Sequence, residues 1–263
     1  MDNIMENPVV KTILRHSSVR DFQVEPIPDT IINTIVKCAI RAPTSSNLQA
    51  YSIIKITDPV KKIELARLAG DQKYIEKCPL FFAFCADIFR LRKVCDMTGV
   101  TMQDSFLELF LVASVDAALC CQNALITAES FGLGGVMIGG MRNNPKEVAE
   151  LLKLPNGVYV VMGLCIGYPN VVPPVKPKLP LSTVYHIEEY RLEGLENLLD
   201  SYSKTVADTG VYKERAFLNG NKQEESPEYG WLQHTSRRLA SKKPHVRRDR
   251  LRPDLEALGF SFK

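Results

Sequence analysis

The chain has no Cys-x-x-Cys pair, no His-Glu-x-x-His stretch and no Gly-x-Ser-x-Gly elbow. Each absence excludes a chemistry. Zinc needs Cys and His at short, regular spacing, and a serine hydrolase needs its nucleophile on a tight strand-to-helix turn. Histidine is scarce, with four in 263 residues, and too dispersed to form a site. The seven cysteines are scattered and odd in number. Adjacent Cys120 and Cys121 could bridge each other only with strain, so this usage fits buried thiols in a reducing compartment. The opening Met-Asp-Asn-Ile-Met-Glu lacks the basic start and apolar stretch of a signal peptide. Long apolar runs are missing too. The most apolar region, 106–131, is interrupted by Glu108, Asp116 and Glu129, and its longest uncharged run, 117–128, is too short to span a bilayer. A buried helix is expected there, in a cytoplasmic protein with no membrane partner. Excess charge of one sign is also lacking: the formal net charge is +3. The segment 234–250 is locally basic, but it has no interleaved aromatics and no recognised nucleic-acid motif. It reads as a solvated or phosphate-facing helix, and no nucleic-acid partner is expected.

What is present suffices for a folded core, with 45% hydrophobic and 24% charged residues. Residues 7–15 have helical spacing, with Val10, Ile13 and Leu14 on one side. Pro26 and Pro28 mark a turn, and Asp29 is placed to cap a helix carrying Ile31, Ile32, Ile35, Val36 and Ala39. That helix is expected to end near Arg41-Ala42-Pro43. Strands are expected at 51–56, 80–85 and 159–166, and a helix at 61–68 closed by Gly70. A long helix is predicted over 103–130, about 42 Å at 1.5 Å per residue. It is apolar on more than one face, so it either threads the domain or meets a second subunit. Asn144-Pro145 with Glu147 reads as a capped helix start. A polar helix around 187–206, a loop at 217–230 and short basic helices complete the chain. Four or five strands mixed with helices imply an α+β or α/β fold with one sheet. No internal repeat is found.

Arg15-His16-Ser17-Ser18-Val19-Arg20 places cations and hydroxyls together between a short helix and an extended segment. Taken alone it reads first as a helix-terminal charge and polar turn, with a phosphate site as the alternative. Lys176-Pro177-Lys178 reads alone as a solvated linker, although an extended backbone can point both lysines the same way. Thr44-Ser45-Ser46-Asn47 is an ordinary loop by composition, and Gln72 is unremarkable by itself. The glycine run 132–140 is not a nucleotide motif. Met137 stands where a third Rossmann glycine belongs, and Gly140 stands where a phosphate-loop lysine belongs. Gly132 and Gly134 read as a structural turn. Gly139 and Gly140 end an apolar strand, where bare backbone could approach a flat ring.

Together these segments resemble the nitroreductase superfamily, over nearly the whole chain. The resemblance is closest to its larger branch of NADPH-dependent nitroreductases and flavin reductases. His16-Ser17-Ser18-Val19-Arg20-Asp21-Phe22 is similar to that family's H-R-S-[IV]-R-x-F. The segments 44–54, 69–72, 84–87, 124–144 and 176–180 match in the expected order. The resemblance implies an α+β nitroreductase-like fold: a central, mainly antiparallel sheet flanked by helices, with the long helix at a homodimer interface. It implies an FMN-binding core over 1–180 and a C-terminal excursion with helices over 181–263, one domain overall. Residues His16, Ser17, Ser18, Lys176 and Lys178 would face the FMN phosphate and ribityl chain. Arg20 and Gln72 would approach the pyrimidine edge of the flavin. Met137, Ile138, Gly139 and Gly140 would lie along the ring. Ser45, Ser46, Asn47 and Gln49 would form part of the cofactor wall, partly from the partner subunit. The activity implied is ping-pong reduction of nitroaromatics, quinones or flavins by NADPH or NADH. The chemistry is carried by FMN and by no catalytic side chain. The alternatives are a dedicated flavin reductase that releases reduced FMN and a non-catalytic flavin-binding protein.

The chain departs from the family pattern in three places. Ser17 stands where the family usually has Arg. Lys178 stands where Arg is common, which keeps the charge and loses the bidentate fork. The loop before Trp231 carries only Lys222, beside Glu224 and Glu225, where relatives often place adjacent basic residues for the NADPH 2′-phosphate. A weakened NADPH preference is expected, with Lys242, Lys243 or Arg247 able to compensate.

Overall fold

β2 (Leu80–Asp87) is buried along its whole length, and its alternating side chains divide the core in two. The structure is a computed structural model that describes residues 6–212, 229–243 and 248–263. It contains two compact units, one made of the chain up to Pro174 with Arg248–Lys263, the other of Val175–Arg247. In the first unit the order is α1 (Pro8–Leu14), α2 (Asp29–Ala39), β1 (Tyr51–Ile56), α3 (Pro59–Leu68), α4 (Tyr74–Lys77), β2, α5 (Phe89–Thr98), α6 (Leu107–Ser130), β3 (Gly134–Ile138), α7 (Pro145–Leu151) and β4 (Val158–Gly167). The C-terminal helix Leu251–Ala257 also belongs to this unit. The sheet runs β1-β2-β4-β3 and every pairing is antiparallel. The fold is α+β, and α6 is its long helix.

Leu80, Phe82, Phe84 and Ala86 face a core shared with α2 and α6, whereas Phe81, Ala83 and Cys85 face one shared with α3 and α4. Both faces of the sheet are covered, so its central strands read as continuous apolar runs instead of alternating ones. On β4, Tyr159 and Val161 join the first core, but so do Leu164 and Ile166. The change of parity comes from a bulge: Phe84 pairs with Met162 and Cys85 with Val160, leaving Val161 without an opposite residue. The Arg142 guanidinium donates to the Val161 carbonyl, so the bulged backbone keeps a partner.

Several boundaries differ from the sequence expectations. The long helix starts at Leu107, not at 103. Phe106 is extended, the Leu107 N–H meets the Lys263 carbonyl at 3.4 Å, and the Ser261 hydroxyl donates to the Ser105 carbonyl at 3.0 Å. The chain's own C-terminus therefore holds this segment out of the helix. Asp29 is the first helical residue of α2 instead of its cap, and the helix ends at Ala39. Asn144 makes no capping bond, because its amide donates to the Leu68 carbonyl at 2.7 Å. Gly132 has a left-handed φ of +78°, as a turn requires, but Gly134 is strand, and a Cβ there would lie 2.4 Å from Val19. On α1, Ile13 and Leu14 are exposed and Thr12 is the buried residue.

The second unit contains the helices Leu181–Val184, Leu195–Asp208 and Trp231–Leu239. The helix expected around 187–206 thus begins eight residues later, after a left-handed Gly194. Tyr202 and Trp231 meet edge to face at 5.6 Å, and the Ser203 hydroxyl accepts from the Leu232 N–H at 3.1 Å.

Candidate active site

The open edge of β3 organises the site. Val19 donates its N–H to the Gly135 carbonyl at 3.1 Å, so residues 16–20 run beside β3 on the side away from β4. Backbone groups alternate sides along a strand, so Met137 turns its N–H and C=O to the same edge as Gly135. Arg20 reaches over Tyr74, with its guanidinium carbon 5.9 Å from the ring centroid, and also donates to the Ser18 carbonyl at 3.2 Å. The Tyr74 hydroxyl donates to Gln72 Oε1 in a short bond, and Gln72 Nε2 donates to the Ala69 carbonyl at 2.7 Å. Gly140 packs on this turn so closely that a Cβ would lie 2.4 Å from both the Ala69 oxygen and Gln72 Nε2. The Gly139 carbonyl accepts from Arg248 at 3.1 Å.

At the other end of this edge, His16 Nδ1 meets Glu129 Oε1 at 2.5 Å, and Arg15 donates to the Glu129 carbonyl at 2.9 Å. Glu129 is buried near the C-terminus of α6. Burial pushes its carboxyl above the ordinary range, and the hydrogen bond and charges of His16 and Arg15 oppose that shift. With the pair formed, Nδ1 is committed to Glu129 and Nε2 is the ring nitrogen left for a ligand. Ser17 is buried and Ser18 half-buried beside it. The structure therefore brings His16, Ser17, Ser18, Arg20, Gln72, Met137, Ile138, Gly139 and Gly140 together within one unit. This donor set suits a ligand with an anionic end and a flat ring with a polar edge. Cys85, Cys120 and Cys121 are held as thiols: burial pushes Cys85 and Cys120 up to about 12 and Cys121 higher still.

A nitroreductase family model matches residues 13–168, and the model of that family's C-terminal domain matches 176–263. The chain belongs to the nitroreductase family. It is 41% identical to a Bacillus subtilis protein named FMN reductase (NADPH) over 222 residues, 83% of this chain and 88% of the relative. It is 42% identical to the NADPH-flavin oxidoreductase of Vibrio harveyi over 200 residues, 76% of this chain and 81% of the relative. The solved structure of B. megaterium NfrA2 superimposes with a TM-score of 0.87 at 34% identity, covering 98% of this chain and 99% of that one.

Within this nitroreductase, four of the remaining expected residues, all in the first unit, lie apart from the β3 edge. Ser45, Ser46, Asn47 and Gln49 sit on an exposed loop anchored to Asp116 of α6. Asp116 and Glu129 are thirteen positions apart on that helix, about 20 Å at 1.5 Å per residue. One chain thus keeps the loop away from His16. Lys176 and Lys178 belong to the second unit. They are exposed on either side of Pro177, whose carbonyl accepts from the Tyr202 hydroxyl at 3.1 Å. Lys243 is exposed in the same unit, and Lys222 lies outside the described residues. Tyr74, Asp116 and Arg90 were not anticipated as site residues. Asp116 and Glu129 did carry a signal, since a carboxylate inside an apolar helix requires a partner when buried.

Proposed function

We propose that this nitroreductase works as a cytoplasmic homodimer and passes electrons from NAD(P)H through FMN to nitroaromatics, quinones or free flavin. The observation that carries the reading is the convergence of His16, Arg20 and Gln72 on the open edge of β3. FMN, when bound, would supply the two-electron redox chemistry between nicotinamide and oxidant. His16, Ser17 and Ser18 hold the phosphate end. Arg20 and Gln72 set a cation and an amide where negative charge develops on reduction. The Met137 backbone offers a donor and an acceptor to the ring. A single open face used in turn by donor and oxidant gives ping-pong kinetics, and no side-chain acid or nucleophile is required.

Two features support the homodimer. Leu107, Leu111, Val115 and Leu119 recur every fourth residue and stand exposed on α6, beside a depression of about 340 Å³ that Pro43, Thr44 and Ser45 help to line. The distance along α6 between the 45–49 loop and His16 also favours a second chain as the one whose loop reaches the phosphate end. Initial-rate kinetics with NADPH and a nitroaromatic both varied test the reading. Parallel double-reciprocal plots are expected, and intersecting plots argue against a shared face.

The second reading is a dedicated flavin reductase that releases reduced FMN. The name FMN reductase, carried by two B. subtilis relatives, favours it. Gel filtration of the reconstituted protein separates the two: retained flavin supports a resident cofactor, and lost flavin supports release.

A further inference from the structure

We infer that Asp116, with Arg90 as a second tether, is a positioning residue for the 45–49 loop, which rests on the function proposed above. Asp116 is 1% exposed, and its two oxygens bracket the loop. Oδ1 accepts from the Ser45 N–H at 3.3 Å, and Oδ2 accepts from the Ala50 N–H at 3.1 Å. Between these anchors Ser46, Asn47 and Gln49 have φ of 49°, 56° and 52°. All are left-handed, and none is a glycine. Such backbone persists only where its surroundings over-determine it.

Arg90 holds the other end of the loop. Its Nη1 donates to the Gln49 carbonyl at 3.3 Å and to the Tyr51 carbonyl at 3.0 Å. Its Nη2 is fixed by Asp87 at 3.1 Å and by the Ser52 hydroxyl at 2.5 Å, while that hydroxyl donates to Asp87. The side chains of Ser45, Ser46, Asn47 and Gln49 are all exposed, so core packing does not shape the loop. Its backbone is clamped from beneath while its side chains face outward. This division suits a ligand-facing wall that must keep its geometry before the ligand arrives. A buried carboxylate used only for stability has no need of a strained, outward-facing loop between its two bonds.

Asp116→Asn is nearly isosteric and breaks one of the two anchors. An amide oxygen can accept from one backbone N–H, but the NH2 group then faces the other donor. Wild type, D116N, R90Q and the control Cys121→Ala, which alters a buried residue of the same helix away from the loop, are compared. The readouts are FMN dissociation constant, visible circular dichroism of bound flavin and apoprotein melting temperature. D116N is expected to raise the FMN Kd about tenfold and to change the flavin dichroism. R90Q, altering a side chain 53% exposed, is expected to raise Kd about threefold. C121A is expected to lower the melting temperature while leaving Kd and dichroism unchanged. Unchanged Kd and dichroism in both D116N and R90Q overturn the inference, as does a C121A loss equal to that of D116N. If D116N does not fold, R90Q decides alone. A wild type that takes up no FMN overturns the proposed function first, so the two failures are distinguishable.

Discussion

His16 Nδ1 and Glu129 Oε1 lie 2.5 Å apart, joining the segment after α1 to the last turn of α6. The carboxylate is buried, and burial outweighs the histidine in setting its titration, holding it above the ordinary 4.5. A carboxyl raised on folding favours the native state most below its unfolded value and loses that contribution as pH rises through its native value. Relative to Glu129→Gln, the wild-type apoprotein is therefore expected to lose stability as pH rises from about 4.5 through the native titration. Denaturant unfolding of both proteins at several pH values checks the sign. A stability difference that stays constant over this range contradicts the assignment.

Gly140→Ala places a Cβ 2.4 Å from the Ala69 oxygen and Gln72 Nε2. Neither the backbone carbonyl nor the amide bonded to it can yield freely. The variant is expected to lose about 1–3 kcal/mol of stability and to weaken FMN binding by displacing Gln72. Thermal unfolding with flavin titration measures both. A stable variant with intact affinity would show that the turn adapts.

Val115→Glu puts a charge between Leu111 and Leu119 on the exposed ridge of α6. The variant is expected to be monomeric at about 1 μM chain, where wild type remains dimeric. In the proposed dimer the 45–49 loop reaches the cofactor from the second chain, so FMN affinity should fall with it. Sedimentation velocity with and without FMN reports both effects. A monomer that binds FMN normally separates the loop from the site.

We propose that donor choice rests on the cations of the C-terminal part of the chain. With Lys222 beside two glutamates and Lys243 as a further cation, kcat/KM for NADPH is expected to exceed that for NADH by less than about 100-fold, or about 2.7 kcal/mol. Initial-rate kinetics with both donors decide it, and a larger ratio restores a dedicated 2′-phosphate site.

Much of the first unit was legible because its signals are local. The apolar runs of β2 and β4, Gly70 after α3 and the His16–Arg20 cluster lie within short windows. The start of α6 was not legible, because Ser261 and Lys263 hold residues 105–107 from the far end of the chain. The bulge at Val161 was hidden for a similar reason, since Arg142 satisfies its carbonyl from a neighbouring turn. The close packing of Gly140 on Ala69 and Gln72 was hidden as well, because that turn lies some seventy residues away in the chain. Ser46, Asn47 and Gln49 gave no warning of left-handed backbone, because glycine is the usual marker and none stands there. Asp116 and Glu129 were visible as interruptions of an apolar run, but their partners come from distant segments.

Anaerobic titration of the FMN-loaded protein with NADPH or NADH, followed in the visible spectrum, tests the central claim most directly. Bleaching of the flavin bands and their return on adding a nitroaromatic is the predicted result. A protein that remains colourless after incubation with FMN would contradict the account.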